Sequence, residues 1–257
     1  MATRVLRPAL RLSILRNTTP TAPITAIPKL AVYNRSFSSS PSTQQPQKMD
    51  GPDALIELAK ARRTIYKLGK NSPVADTKIE ELVNAAILHV PSSFNTQSTR
   101  LVVLLHQEHE KLWDIVIDTF SELVKSGTVP EETWKKQTLP KLLGMKGAVG
   151  TVLFYEDPAH IKPFSEKFAI YKDHFQPWAD HSNAMHQYFL WTGLEALGFG
   201  ANLQHYNPLI DAPVAKQWNV PADWRLVAQL VFGSPEGGPN EKAQKPIEER
   251  VKIYGKL

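Results

Sequence analysis

The spacing of hydrophobic positions along this chain changes period several times, and each change marks an element. Across residues 53–63, Leu55, Ile56, Leu58 and Ala59 recur at helical spacing, with Asp53 able to cap the start just after Pro52. Residues 76–89 repeat the pattern through Ile79, Leu82, Val83, Ala86 and Ile87. The polar run Pro91-Ser92-Ser93-Phe94-Asn95-Thr96-Gln97-Ser98 then breaks it and predicts a loop. Residues 100–106 carry a Leu-Val-Val-Leu-Leu core, a continuous apolar run that suits a strand buried on both faces. Further helices are predicted over 108–125, 131–143, 161–174, 180–197 and 208–218, and further strands over 148–155, 200–205 and 224–232. A tail rich in Pro, Gly and Lys closes the chain. Helices outnumber strands and the sheet is small, so the expected fold class is α+β, a three-layer α/β/α arrangement around a small central sheet.

Charge divides the chain in two. Seven of the 30 basic residues fall before Asp50 and no acidic residue does, which leaves 23 basic against all 25 acidic residues in the body, a formal net of −2. The whole-chain pI of about 9.2 therefore reports the leader, and a nucleic-acid footprint is not expected in the body. Arg4, Arg7, Arg11 and Arg16 alternate with Val5, Leu6, Leu10, Leu12, Ile14 and Leu15, a cationic amphipathic pattern typical of a mitochondrial transit peptide. Arg35-Ser36-Phe37-Ser38 resembles a presequence cleavage site, and the Ser/Gln/Pro run after it reads as a disordered spacer. The expected organisation is 1–48 transit peptide and spacer and 49–257 folded domain. The expected location is mitochondrial, in the matrix, or cytoplasmic if translation starts at Met49. No stretch approaches the roughly 18–20 apolar residues needed to cross a bilayer, so no membrane insertion is expected. The absence of cysteine excludes disulfides, thiolate metal sites and Fe–S clusters. No His-x-x-x-His or His-Glu-x-x-His run offers a metal site either.

Four segments carry candidate chemistry. Arg62-Arg63-Thr64, at the end of the first helix, suits a phosphate, since guanidinium forks and a hydroxyl donate to its oxygens. Residues 91–98 offer short polar side chains and backbone donors to a heteroaromatic edge. Residues 198–208 (Gly-Phe-Gly-Ala-Asn-Leu-Gln-His-Tyr-Asn-Pro) let backbone approach a flat ligand, or form a helix cap followed by a strand. Lys242 and Lys245, after the last strand, are placed to close a phosphate pocket from the far end of the sequence. Each segment alone also fits an ordinary helix end, turn or surface loop.

Taken in order, these segments resemble the FMN-dependent nitroreductase family. The match runs through Arg-Arg-Thr, Pro-Ser-Ser-x-Asn-x-Gln, a long helix ending Leu197-Gly198-Phe199-Gly200, and a last strand followed by a Lys-containing Pro-Ile-Glu-Glu tail. Leu203 to Pro208 is similar to the fungal branch named for fatty-acid-repression mutants, and the resemblance covers about residues 50–257. It implies an intertwined homodimer with FMN at the interface and both subunits lining each site. Arg62, Arg63 and Thr64 would meet the phosphate and ribityl chain. Pro91, Ser92, Ser93, Asn95 and Gln97 would meet the ribityl and the ring from the other side. Leu203, Gln204 and His205 would offer backbone N–H along the redox edge, and Lys242 and Lys245 would add charge at the phosphate. The long helix would build the dimer core, and residues 247–254 would cross to the partner. The implied activity is a ping-pong transfer from NAD(P)H to nitroaromatic or quinone-type acceptors, with a place in oxidative-stress response, the flavin carrying the chemistry and no side chain acting as catalyst. Phe168, Tyr171, Phe175, Trp178 and Tyr188 suit an acceptor-pocket wall and equally suit core packing. An alternative is a flavin-binding or degenerate homologue that acts through partners in lipid signalling or stress response. Three positions depart from the family pattern: Tyr66 replaces a frequent cation, Ser98-Thr99 replaces a common Pro-Trp, and Gln244 replaces a second basic residue.

Overall fold

The computed structural model describes residues 51–257. The segment read as a transit peptide and spacer, 1–48, and the alternative start Met49 lie outside the described residues. Eight α-helices and five strands are present among the described residues: α1 (Gly51–Ala61), β1 (Leu68–Gly69), α2 (Asp76–His89), β2 (Thr99–Leu105), α3 (His106–Lys125), α4 (Glu131–Thr133), α5 (Leu139–Lys146), β3 (Gly150–Glu156), α6 (Lys162–Lys167), α7 (Phe175–Ala196), β4 (Gly200–Gln204), α8 (Asp211–Trp218) and β5 (Arg225–Pro235).

The sheet is antiparallel and centres on β5. One edge of β5 carries β3, with β2 outside it. Its other edge carries β4 over Gln229–Gly233 and then β1 over Ser234–Pro235. Every residue of β3 is buried, because helices cover both faces. Leu153 and Tyr155 face a core with Leu112 and Trp113 of α3, Leu142 of α5 and Val214 of α8. Val152 and Phe154 face the opposite core, with Ile79 and Ala86 of α2 and Leu190 and Leu194 of α7. These are the three layers expected. A bulge interrupts the alternation in β5. Phe154 pairs with Ala228 but Tyr155 pairs with Leu226, so Val227 is the extra residue and Leu226 and Ala228 enter opposite cores.

α3 buries His109, Leu112, Trp113 and Val116, the spacing of one helical face. α7 presses so closely on α2 that a Cβ at Gly193 would come within 2.5 Å of Leu82 Cδ1. α1 buries no residue.

Several predicted boundaries are corrected. The helix expected over 131–143 is broken by a π-helical turn at Trp134–Thr138, which delivers Pro140 to the N-terminal turn of α5, where its missing N–H costs little. The helix expected over 161–174 stops at Lys167, where Phe168 leaves helical geometry (φ −115, ψ 68), and a 3-10 segment follows over Ala169–His174. α7 starts at Phe175, not 180, because Pro177 sits in its first turn and is tolerated there. α1 starts at Gly51, so Asp53 lies in its first turn and does not cap it. β1 has two residues, too few to show a period. Among the described residues no helix is long and apolar enough to cross a membrane.

Candidate functional site

The chain leaves α1 at Ala61 and runs extended beside β4. Ile65 N–H donates to Ala201 O (3.0 Å), the Asn202 side-chain amide donates to Ile65 O (2.9 Å), and Thr64 bridges Ala201 in parallel. This pairing anchors the chain beside β4 just after Arg62 and Arg63. They line a cleft of about 450 Å³ with Ile56, Lys60, Lys242 and Gln244. Arg62 lies over the Trp191 ring of α7, its guanidinium carbon 4.5 Å from the centroid, and 6.0 Å from Tyr188. The Nε of Arg62 is buried and has no hydrogen-bond partner among the described residues. Arg63 Nη2 donates to Asn240 O, which ties the tail to the cleft. Among the described residues none of Arg62, Arg63 and Lys242 pairs with a carboxylate. Lys60 pairs with Glu57 (2.6 Å), but the remaining cations and an orphaned guanidinium N–H call for an anion with several acceptor oxygens, and a phosphate ester fits. Three of the residues expected at a phosphate are thus brought together. Thr64 and Lys245 do not line the cleft; Gln244 does.

The glycines near β4 serve local packing, the helix-cap-and-strand alternative of the two open for this segment. Gly198 (φ +92) ends α7, and its N–H closes on Glu195 O. A Cβ at Gly200 would sit 3.0 Å from Ile65 and Leu68 side chains. Gln204 is 7% exposed and its amide donates to Asn202 Oδ1 (2.8 Å), so its side chain belongs to the interior. Leu203 is half-buried and His205 exposed. β4 pairs with β5 on one side, and its other side is bridged at Ala201 by Thr64, so Leu203–His205 continue along a sheet edge. Tyr206 N–H donates to Gln229 Oε1 (2.7 Å), and Gln229 Nε2 donates to Asn207 Oδ1 (3.1 Å), which locks the segment after β4 to β5.

A second cavity of about 690 Å³ opens further along the same extended segment, lined by Tyr66, Lys67, Lys141, Gly144, Met145 and Glu236. Lys141 Nζ stands 5.8 Å from the centroid of Tyr206, whose phenol is pushed up to about 12 by burial. Lys67 and Lys141 were not singled out from the sequence. A cation in a mixed helical stretch carries no signal until the fold brings α5 against the chain at Tyr66.

Neither Leu203–His205 nor the loop at 91–98 lines the Arg62 cleft of its own chain. Ser93–Asn95 form a 3-10 turn, and Gln97 N–H donates to Ser92 Oγ (3.0 Å). Pro91, Asn95 and Gln97 are exposed, and Ser92 and Ser93 half-buried. Phe94 packs among Phe168, Phe175 and Trp178, with centroids 5.2, 5.4 and 5.9 Å away. So Phe168, Tyr171, Phe175 and Trp178 form a satellite cluster by this loop, whereas Tyr188 stands apart from them, near Arg62. Among the described residues no group of three His, Asp or Glu is placed to hold a metal.

A small antiparallel sheet between two helical layers, with a cationic cleft at the end of the first helix, is the arrangement of the nitroreductases. The chain belongs to this family: the Nitroreductase family profile matches residues 59–234. In Saccharomyces cerevisiae, HBN1 is 33% identical over 201 residues (77% of this chain, 96% of its own), and nitroreductase FRM2 is 32% identical over 195 (75% and 93%). The structure of nitroreductase CinD from Lactococcus lactis in complex with chloramphenicol superposes with a TM-score of 0.69 at 40% identity, covering 78% of this chain and 99% of CinD. CinD is also known in complex with 4-nitrophenol. The FMN-dependent nitroreductase NfnB of Mycobacterium smegmatis, in complex with NADPH, shares the fold at 14% identity and a TM-score of 0.63, over 80% of this chain and all of NfnB.

Proposed function

We propose that the chain is an NAD(P)H-dependent nitroreductase that works as a homodimer on nitroaromatic or quinone-type acceptors. FMN is its cofactor. The observation that carries this reading is the convergence of the Arg62-Arg63 pair and the sequence-distant Lys242 on one cleft, none of the three paired with a carboxylate among the described residues. The ligands seen with CinD, chloramphenicol and 4-nitrophenol, are both nitroaromatic, and NfnB binds NADPH; both support the choice of substrates.

The residues divide the work along the extended segment after α1. Arg62 and Arg63 grip the phosphate through forked N–H groups, with Lys242 as a point charge and Thr64 beside them. Leu203–His205 offer backbone donors along a sheet edge, held in place by Gln229. Lys67 and Lys141 set positive charge at the second cavity, where Tyr66 stands in for the usual cation. Held by these residues, the flavin would supply the hydride chemistry between nicotinamide and acceptor. The protein's part is to bind, orient and bias by charge; no acid–base dyad is needed.

Dimerisation is supported by the surface. α1 buries nothing, and Leu55, Leu88, Met185, Tyr188 and Phe189 are exposed on α1, α2 and α7. In the tail, Ile247, Val251, Ile253 and Tyr254 are exposed as well. Such a surface suits an isologous interface, with Asn95 and Gln97 supplied to the site by the partner. Import into mitochondria rests on the acid-free, arginine-rich stretch before Asp50.

The test is a titration of the purified chain with FMN, followed by NADH or NADPH and then 4-nitrophenol. The reading expects a yellow protein that bleaches with reduced nicotinamide and regains colour with acceptor. A chain that leaves FMN free in solution sinks it.

A further inference from the structure

The loop between α2 and β2 is held from beneath more firmly than a connecting turn needs. Phe94, Asn95 and Gln97 all adopt left-handed backbone, with φ of 54, 54 and 48, though none is glycine. Side-chain residues in that region persist only where their surroundings over-determine them, and they gather at functional sites. The surroundings here can be named. The Gln97 carbonyl accepts from Arg100 Nη1 (2.6 Å), while Arg100 Nη2 reaches Asp157 Oδ2 (2.9 Å). One guanidinium therefore ties the strained residue to a carboxylate at the end of β3. Asp157 N–H in turn donates to Ser98 O (2.9 Å).

Behind this tie lies a buried polar cluster. Glu156, 1% exposed, accepts from Ser98 Oγ (2.6 Å), Thr99 Oγ1 (2.7 Å) and Asn183 Nδ2 of α7 (2.8 Å). The Ser98-Thr99 pair that departs from the family's Pro-Trp is thus the pair that satisfies this carboxylate. A buried charge is tolerated only when its donors are fully supplied, so the cluster has one low-energy arrangement, and that arrangement fixes the chain from Gln97 to Arg100.

We propose that Arg100, backed by Glu156, is a positioning residue for the flavin: it fixes the left-handed backbone of Gln97 and so directs Asn95 and Gln97 toward cofactor held by a second copy of this chain. The inference rests on the flavin reading above. It adds that affinity is set partly by a network that never touches the ligand. Lysine cannot replace Arg100, because a single ammonium on a flexible stem does not span carbonyl and carboxylate as the planar fork does.

The experiment uses the full chain with Arg100→Lys, Glu156→Gln and Gln97→Gly. FMN affinity is read by quenching of flavin fluorescence, the bound flavin's visible band is recorded, and unfolding of the flavin-free protein is followed separately. Arg100→Lys is expected to raise the FMN Kd about tenfold, the scale of one lost charge-assisted hydrogen bond, and to shift the visible band. Glu156→Gln is expected to do the same to a smaller degree. Gln97→Gly relieves the left-handed φ, so it is expected to weaken FMN binding without lowering the stability of the flavin-free protein. It keeps the inference testable if either network variant fails to fold. Wild-type Kd and band position in folded Arg100→Lys, or wild-type Kd in Gln97→Gly, overturn the inference while leaving the flavin reading intact. A wild-type chain that binds no FMN overturns both.

Discussion

Arg62 has the surroundings that the proposed phosphate-binding role requires of a single side chain. Its guanidinium lies on the Trp191 indole, which neutralises nothing but restricts the fork to a plane, and its Nε remains buried and unpaired. Arg62→Lys keeps the charge and loses both fork and stacking. FMN affinity is expected to fall about tenfold or more by calorimetric titration, a loss that higher ionic strength does not mask. An unchanged affinity would place the phosphate elsewhere. His109 makes the opposite case, a buried histidine that is purely structural. Its Nε2–H donates to Met145 O (3.0 Å), its Nδ1 accepts from Thr151 Oγ1 (2.9 Å), and burial lowers it from 6.5 to about 4. The unfolded chain takes up this proton first, so stability is intact above pH 6.5 and drains away as pH falls toward 4. The loss is about 3 kcal/mol by proton linkage. His109→Gln can keep both hydrogen bonds but cannot titrate. Its urea midpoint is expected to fall less steeply than the wild type's over that interval, and parallel curves would refute the assignment.

Between elements, the tightest joint is where β5 changes neighbours from β4 to β1. A Cβ at Gly233 would lie 2.4 Å from Gly69 O, 3.1 Å from Val149 N and 3.2 Å from Ala148 Cα, all of them backbone that cannot swing aside. Gly233→Ala is therefore expected to cost about 2 kcal/mol or more in chemical denaturation, whereas Gly238→Ala, with open space around it, stays within about 0.5 kcal/mol. This joint also shows which parts of the fold a sequence can express. α2 was legible to its boundaries because its apolar period is unbroken over four turns and a loop signal follows at once. β2, β3 and most of β5 were legible as apolar runs. β1 was not, because two residues take their strand identity wholly from pairing with Ser234 and Pro235. The cationic cleft was legible through Arg62 and Arg63, an adjacent pair at a helix end, and through Lys242 only by its place after the last strand, since Glu241 stands beside it. Lys141 and the support beneath Gln97 were not. Glu156 and Arg100 look like ordinary strand-end charges until the antiparallel β2–β3 register, Thr99 opposite Glu156, stacks them under the loop.

At the scale of the whole molecule, the question is why a chain with two packed cores leaves so much apolar side chain in water. Leu55 is 62% exposed, Leu88 73% and Tyr254 87%, and they belong to elements at opposite ends of the sequence. The homodimer proposed above would cover this surface, and it would also bring the loop at 91–97, which lines no part of its own chain's cleft, to the partner's. In a two-fold dimer each substitution acts twice, so charging one such position removes burial on both sides of the axis. Leu55→Glu with Leu88→Glu is expected to cost about 1.5–3 kcal/mol per side chain lost from the interface and to yield monomers in sedimentation at micromolar concentration. The monomers should keep their helical content, because neither residue belongs to the two cores. Their FMN affinity should drop with the dimer and recover as protein concentration is raised, because the donors from residues 91–97 then return from the neighbouring chain. A folded monomer that holds FMN as tightly as the wild type would mean that each chain completes its own site, and the exposed apolar surface would need a different occupant.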